Sequence, residues 1–208
     1  MRKRRWQTLG EEIANAVSHG VGALLAIAGL VLMILKAKTA EAVVGVTLFG
    51  VTAIMLYTMS CLYHSFKKDT IVKRVFRRFD HLSIYLLIGG TYLPIFLIIF
   101  KHPIDVIFIC IQWSVITLGV ILKSVNFKKY KALHIVLYLI LGWSGVAVFQ
   151  PLWAASKEAF FWILGGGVAY TLGVAFYALK WKYSHFVWHL FVIAGTTLHF
   201  FAIYLHLL

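Results

Sequence analysis

Apolar runs of about 20 residues alternate along this chain with short polar segments, and each run is long enough to cross the ~30 Å hydrocarbon layer of a bilayer. Seven such runs predict seven helices, over residues 16–35, 42–63, 79–100, 104–122, 133–149, 160–179 and 185–207. Short connections predict that sequential helices are neighbours in an up-and-down bundle. Pro94, inside the third run with Gly89 and Gly90, predicts a kink there, its freed carbonyl satisfied by neighbouring helices. Gly142, Gly145, Gly165 to Gly167 and Gly173 are expected at close helix contacts. The fold class is therefore all-α integral membrane, a seven-transmembrane helix bundle. Residues 1–208 form one domain whose amino-terminal segment, 1–15, is short, basic and cytoplasmic.

Composition supports this reading. Hydrophobic residues make up 62% of the chain and charged residues 13%, where a soluble domain carries about 25% charged residues. The net charge of +13 raises the question of nucleic acid, but no basic domain exists to bind it. The cations fall in loops, where they suit anionic lipid. Membrane lipids are the expected partners, with no nucleic acid and no obligate protein partner. Sixteen lysines and arginines fall on one side of the spans and four on the other. That bias places the amino terminus in the cytoplasm and the carboxyl terminus outside, in a multi-pass protein of the plasma membrane. No small-residue cleavage site follows the basic cluster Arg2 to Arg5, so the first span is expected to be retained. The two cysteines, Cys61 and Cys110, lie in apolar spans, which argues against a disulfide framework or a thiolate metal site.

The same topology gathers the unusual polar residues at one end. His185 and His189 open the seventh span with one helical turn between them, so both rings project from one face. His64 closes the second span, which ends on the same side, and Asp80 opens the third. Ser60 sits one turn from His64, and Glu12, Asn15 and His19 share one face at the entry to the first span. Ionisable groups inside a membrane usually face the bundle interior and pair or coordinate something. Three neutral imidazoles with a carboxylate or water make a typical zinc set. Zinc would lower the pKa of a bound water to about 7. Asp80 would hold or deprotonate that water, and Ser60 would hydrogen-bond a ligand, the water or a substrate carbonyl. Two readings stay open at the first helix: Glu11, Glu12 and Asn15 as its caps, or Glu12 and Asn15 with His19 as a second shell around the metal. His81 and His134 read as interfacial residues. His102, His199 and His206 lie too far along the spans to join the cluster.

These pieces carry a family resemblance. Glu12-x-x-Asn15-x-x-x-His19, Ser60-x-x-x-His64, the Phe79-Asp80-His81 start of the third helix and His185-x-x-x-His189 together resemble the hemolysin III branch of the progestin and adiponectin receptor family, whose wider superfamily includes alkaline ceramidases. The resemblance implies a seven-helix bundle with zinc held by His64, His185 and His189. It implies that Asp80 contacts the metal through water, and that Ser60 is the family's second-helix serine. The long amino-terminal domain of the animal receptors has no counterpart here, so hormone sensing does not carry over. Three functions follow: a zinc-dependent hydrolase of a membrane lipid amide or ester, a non-enzymatic lipid-sensing protein with structural zinc, and a pore-forming cytolysin. The catalytic pair expected for the first is Asp80 and Ser60.

Overall fold

The structure is a computed structural model that describes residues 7–125 and 130–208. The basic cluster Arg2 to Arg5 and the pair Lys128 and Lys129, counted above for orientation, lie outside the described residues. Helices α1 (Leu9–Lys36), α2 (Ala40–Ser65), α3 (Ile71–Ile99) and α4 (Ile104–Val125) form the first four spans. The fifth is composite: α5 (Lys131–Gly142), a 3₁₀ segment (Trp143–Val148) and α6 (Phe149–Ala155), followed by α7 (Lys157–Ala178) and α8 (Ser184–His206). Among the described residues, seven segments are thus long and apolar enough to cross a membrane.

Two helices begin well before their apolar runs, for a local reason. Thr8 accepts a hydrogen bond from the Glu11 backbone while the Glu11 carboxylate reaches back to Thr8, a capping box that starts α1 at Leu9. Thr70 likewise accepts from the Lys73 backbone and starts α3 at Ile71. Asp80 therefore does not open the third helix. It lies deep inside it, where its own amide is engaged in the helix.

Lipid tails are as apolar as leucine, so close packing rather than hydrophobic burial holds such helices together. The main buried cluster joins Val46, Phe49, Ala53, Leu56 and Tyr57 of α2 to Met33 of α1, Leu87 of α3, and Val192 and Ile203 of α8. Glycines set the closest crossings. A Cβ on Gly45 would fall 2.7 Å from the Cα of Pro94, and one on Gly89 would fall 2.7 Å from Ile116. α3 stays helical through Pro94. Gly145, Gly166 and Gly173 do sit at tight contacts, but Gly142 has open space around it. α1 and α8 run parallel and are pinned at both ends. Glu11 Oε1 accepts from the Tyr183 amide at 2.9 Å, and Lys36 Nζ donates to the Tyr204 carbonyl. Between the pins lies an apolar groove walled by Val17, Val21, Leu25, Leu190 and Ile193, with Ser18 among its lining.

The break in the fifth span is held by a residue from another helix. The Tyr92 hydroxyl donates to the Gly142 carbonyl and accepts from the Gly145 amide at 2.9 Å. A backbone group left unpaired in hydrocarbon costs several kcal/mol, so this single phenol makes the departure from α-helix tolerable. Tyr92→Phe leaves both groups without that partner and is expected to cost about 1–3 kcal/mol, read as a lowered Tm of the detergent-purified protein by tryptophan fluorescence.

Candidate metal centre

Three imidazoles meet at the end of the bundle where α1, α3 and α8 begin and α2 ends. One ring nitrogen each from His64, His185 and His189 can be chosen so that all lie within 4.8 Å of one another. The ring centroids are separated by 4.7 Å for His185 and His189, 5.1 Å for His64 and His189, and 5.2 Å for His64 and His185. The first pair follows from helical spacing alone. The last turn of α2 brings His64 across to them. Tyr183, in the left-handed conformation with φ 64°, turns the chain into α8 immediately before His185.

For two of the three rings, hydrogen bonds decide which nitrogen is presented. His64 Nδ1 is 2.7 Å from Glu12 Oε2, so its proton belongs on Nδ1, leaving Nε2 with a free lone pair. That Nε2 is buried and has no hydrogen-bond partner. His189 Nδ1 is 3.2 Å from the Asn15 carbonyl, which can only accept, so Nδ1 carries the proton and Nε2 keeps the lone pair that can bind a metal. Ser18 Oγ lies 3.2 Å from the same Nδ1. Glu12 is in turn bound through Oε1 to Lys73 Nζ at 3.0 Å. A ring oriented by a carboxylate or a carbonyl on its far side is the usual support for a metal-bound histidine. The donor set therefore fits a divalent metal ion.

The remaining residues named from the sequence fall close by in different roles. Asp80 is not among the three converging donors. It lies near His19, His64 and His185, and its Oδ2 is 3.1 Å from His81 Nδ1. Ser60 is fully buried with its hydroxyl beside the Asp80 carboxylate, short of full hydrogen-bond geometry. His19 stacks on His189 with ring centroids 3.6 Å apart and planes 7° from parallel. Both of its nitrogens are buried without partners. Of the two readings of the first helix, Glu11 takes the capping role, and Glu12 reaches the site. Asn15 Nδ2 donates to Gln7 Oε1 at 3.1 Å and lies 3.5 Å from His64 Nδ1.

Three contributors escaped the sequence reading. Lys73, counted there as a loop cation, is inside α3 and 8% exposed. Ser18 carries no motif beyond its place beside His19. His81, read as interfacial, is the partner of Asp80. No local spacing marks Lys73 or Ser18, because their partners lie on other helices.

Comparison with known proteins extends over nearly the whole chain. Residues 7–200 match the protein family described as Haemolysin-III related. Hemolysin-3 of Bacillus cereus is 36% identical over 210 aligned residues, covering 99% of this chain and 95% of the relative. The Hemolysin-3 homolog of Bacillus subtilis (strain 168) is 37% identical over 203 residues, covering 94% of each. The Monocyte to macrophage differentiation factor of Homo sapiens is 26% identical over 206 residues, 96% of this chain and 86% of that protein, which extends the relationship to the progestin and adiponectin receptor family.

Support of His64 by Glu12 yields a direct test. Glu12→Gln is expected to weaken divalent-metal affinity by about 10–100-fold, measured by chelator competition. Glu41→Gln, at the opposite end of the bundle, should leave it unchanged.

Proposed function

This chain belongs to the haemolysin-III-related family, and from that premise and the geometry of the histidine centre we propose that it is a zinc-dependent hydrolase of a membrane lipid amide or ester. The observation that carries the proposal is His64 Nε2, buried and without a hydrogen-bond partner among imidazoles that present further nitrogens. Such a group costs free energy in a membrane interior, and a coordinated cation removes that cost. Three neutral nitrogens without thiolate suit zinc, and a three-histidine set leaves a fourth position for chemistry. When bound, zinc supplies a Lewis acid that polarises a carbonyl and makes water easier to deprotonate.

The protein's own residues would do the rest. His64, His185 and His189 would hold the ion, with Glu12 and the Asn15 carbonyl keeping two of those rings in the required tautomer. Asp80, near the donors without being one of them, would take the proton of the attacking water. It would then return that proton to the leaving amine or alkoxide. The Ser60 hydroxyl would donate to the substrate carbonyl oxygen. The apolar groove between α1 and α8 supports a lipid substrate, since it includes Ser18, one hydrogen bond from His189. The strong Lys and Arg bias of the loops supports a centre facing the cytoplasmic leaflet of the plasma membrane. Seven apolar spans, which keep a chain in its own bilayer, favour lipid turnover over attack on another cell.

Separate outcomes follow for metal and catalysis. Asp80→Asn should retain zinc by elemental analysis while lipid turnover falls by about 10²–10⁴-fold. His64→Ala should lose both. Turnover unchanged in a zinc-free protein would reject the hydrolase, and zinc loss that only lowers the Tm, with no lipid cleaved, would leave the ion a structural role. For orientation, a single cysteine in place of Lys68 should resist a membrane-impermeant maleimide on intact cells, whereas one in place of Lys101 should react.

A further inference from the structure

The groove between α1 and α8 has a floor, two walls and two ends. Gly10, Ala14 and Ser18 recur every fourth residue on α1 and line its deeper side. Val17, Val21, Leu25 and Leu190 rise around them and are exposed. Small residues between bulky walls leave a slot of about 650 Å³, open sideways to the bilayer. At the end near the histidine centre the Tyr183 hydroxyl lies over Gly10, where a Cβ would fall 3.1 Å from it. The lining stops in the other direction at Leu25 and Ile193. One turn beyond, Phe200 packs against Gly29, where a Cβ would fall 3.3 Å from the ring.

Polarity along the slot changes in one direction. The Tyr183 hydroxyl stands at one end, the Ser18 hydroxyl lies further along, and beyond Ser18 the lining is hydrocarbon alone. A lipid carries its groups in the same order: headgroup, ester or amide linkage, acyl chain. Ser18 also marks the level of the histidine centre, since its Oγ is 3.2 Å from His189 Nδ1. From Ser18 to Gly29 is eleven residues, about 16 Å of helix. One leaflet's half of the hydrocarbon layer is about 15 Å. A lipid in its ordinary bilayer orientation therefore lays its chain along the slot and ends it at Phe200.

We propose that this slot seats one acyl chain of a membrane lipid, with Phe200 as the stop that limits chain length. The seated chain holds the lipid's linkage level with the metal centre. As the seat of a substrate the slot rests on the hydrolase reading; as a lipid site it does not. Surrounding lipid is as apolar as the walls, so steric fit rather than hydrophobicity selects the chain. The contact at Phe200 then determines specificity.

The test uses the full chain in phosphatidylcholine vesicles with a trace of a fatty acid bearing a diazirine at its methyl end. After irradiation the label should concentrate in the peptides carrying Gly29 and Phe200, and unlabelled palmitate should displace it. Labelling at Leu118, exposed on α4, should not be displaced. Val21→Trp fills the slot from an exposed position and should cut the displaceable labelling about tenfold, the effect of overpacking. Phe200→Ala removes the stop, so arachidate should gain on palmitate as a competitor; an unchanged preference would strip Phe200 of that role. Labelling needs no cleavage. Displaceable label in a protein that cleaves no lipid therefore keeps the site and rejects the hydrolase, and lipid turnover without displaceable label does the reverse. Label spread evenly over α1, α4 and α8, insensitive to palmitate and to Val21→Trp, is adventitious bilayer lipid only and overturns the proposal.

Discussion

Hydrocarbon offers no hydrogen bonds, and every polar group carried into it must find its partner within the protein. That constraint explains most of what is unusual here. The Tyr92 phenol serves both a carbonyl and an amide of the broken fifth span. Tyr57 and Tyr170 both close on the Thr196 hydroxyl, at 2.8 and 2.7 Å. His199 Nε2 meets the Ile163 carbonyl at 3.1 Å. Single buried polar atoms are left without a partner elsewhere, as at His134 Nε2 and His199 Nδ1, but both nitrogens of His19 and Nε2 of His64 are left so together at one end of the bundle, where the converging imidazoles could hold a metal ion.

The centre is assembled from the supports outward as much as from the donors inward. Lys73 holds Glu12, Glu12 orients His64, and the α1 backbone at Asn15 orients His189. The first helix supplies none of the three converging nitrogens, yet it fixes the tautomer of two of them. Its capping box therefore matters beyond helix stability. Starting α1 at Leu9 puts Glu12 and Asn15 on the helical face they need, and Glu11 ties that helix to the turn preceding α8. Asp80 stands between two environments, with the imidazoles on one side and His81 on the other.

Much of the architecture was legible without coordinates because hydropathy is read locally. The number of spans follows from run length, and their alternation sends His64, Asp80, His185 and His189 to a common end. The i, i+4 spacing of His185 and His189 needs no tertiary information to put two rings on one face. The starts of α1 and α3 were placed too late, because Thr8 and Thr70 begin helices within polar sequence that hydropathy passes over. The break in the fifth span left no local mark, since the group that permits it comes from Tyr92 on another helix.

The linear order of residues thus determined that the chain lives in a bilayer, how often it crosses, and which residues share a depth. Those properties depend on transfer of each segment into hydrocarbon, an energy summed along the chain. Tertiary packing alone decided that Glu12 serves His64 rather than capping its helix, that Lys73 is buried, and which nitrogens of His64 and His189 face the centre. These are choices among partners on different helices. Their energies exist only once the helices are side by side.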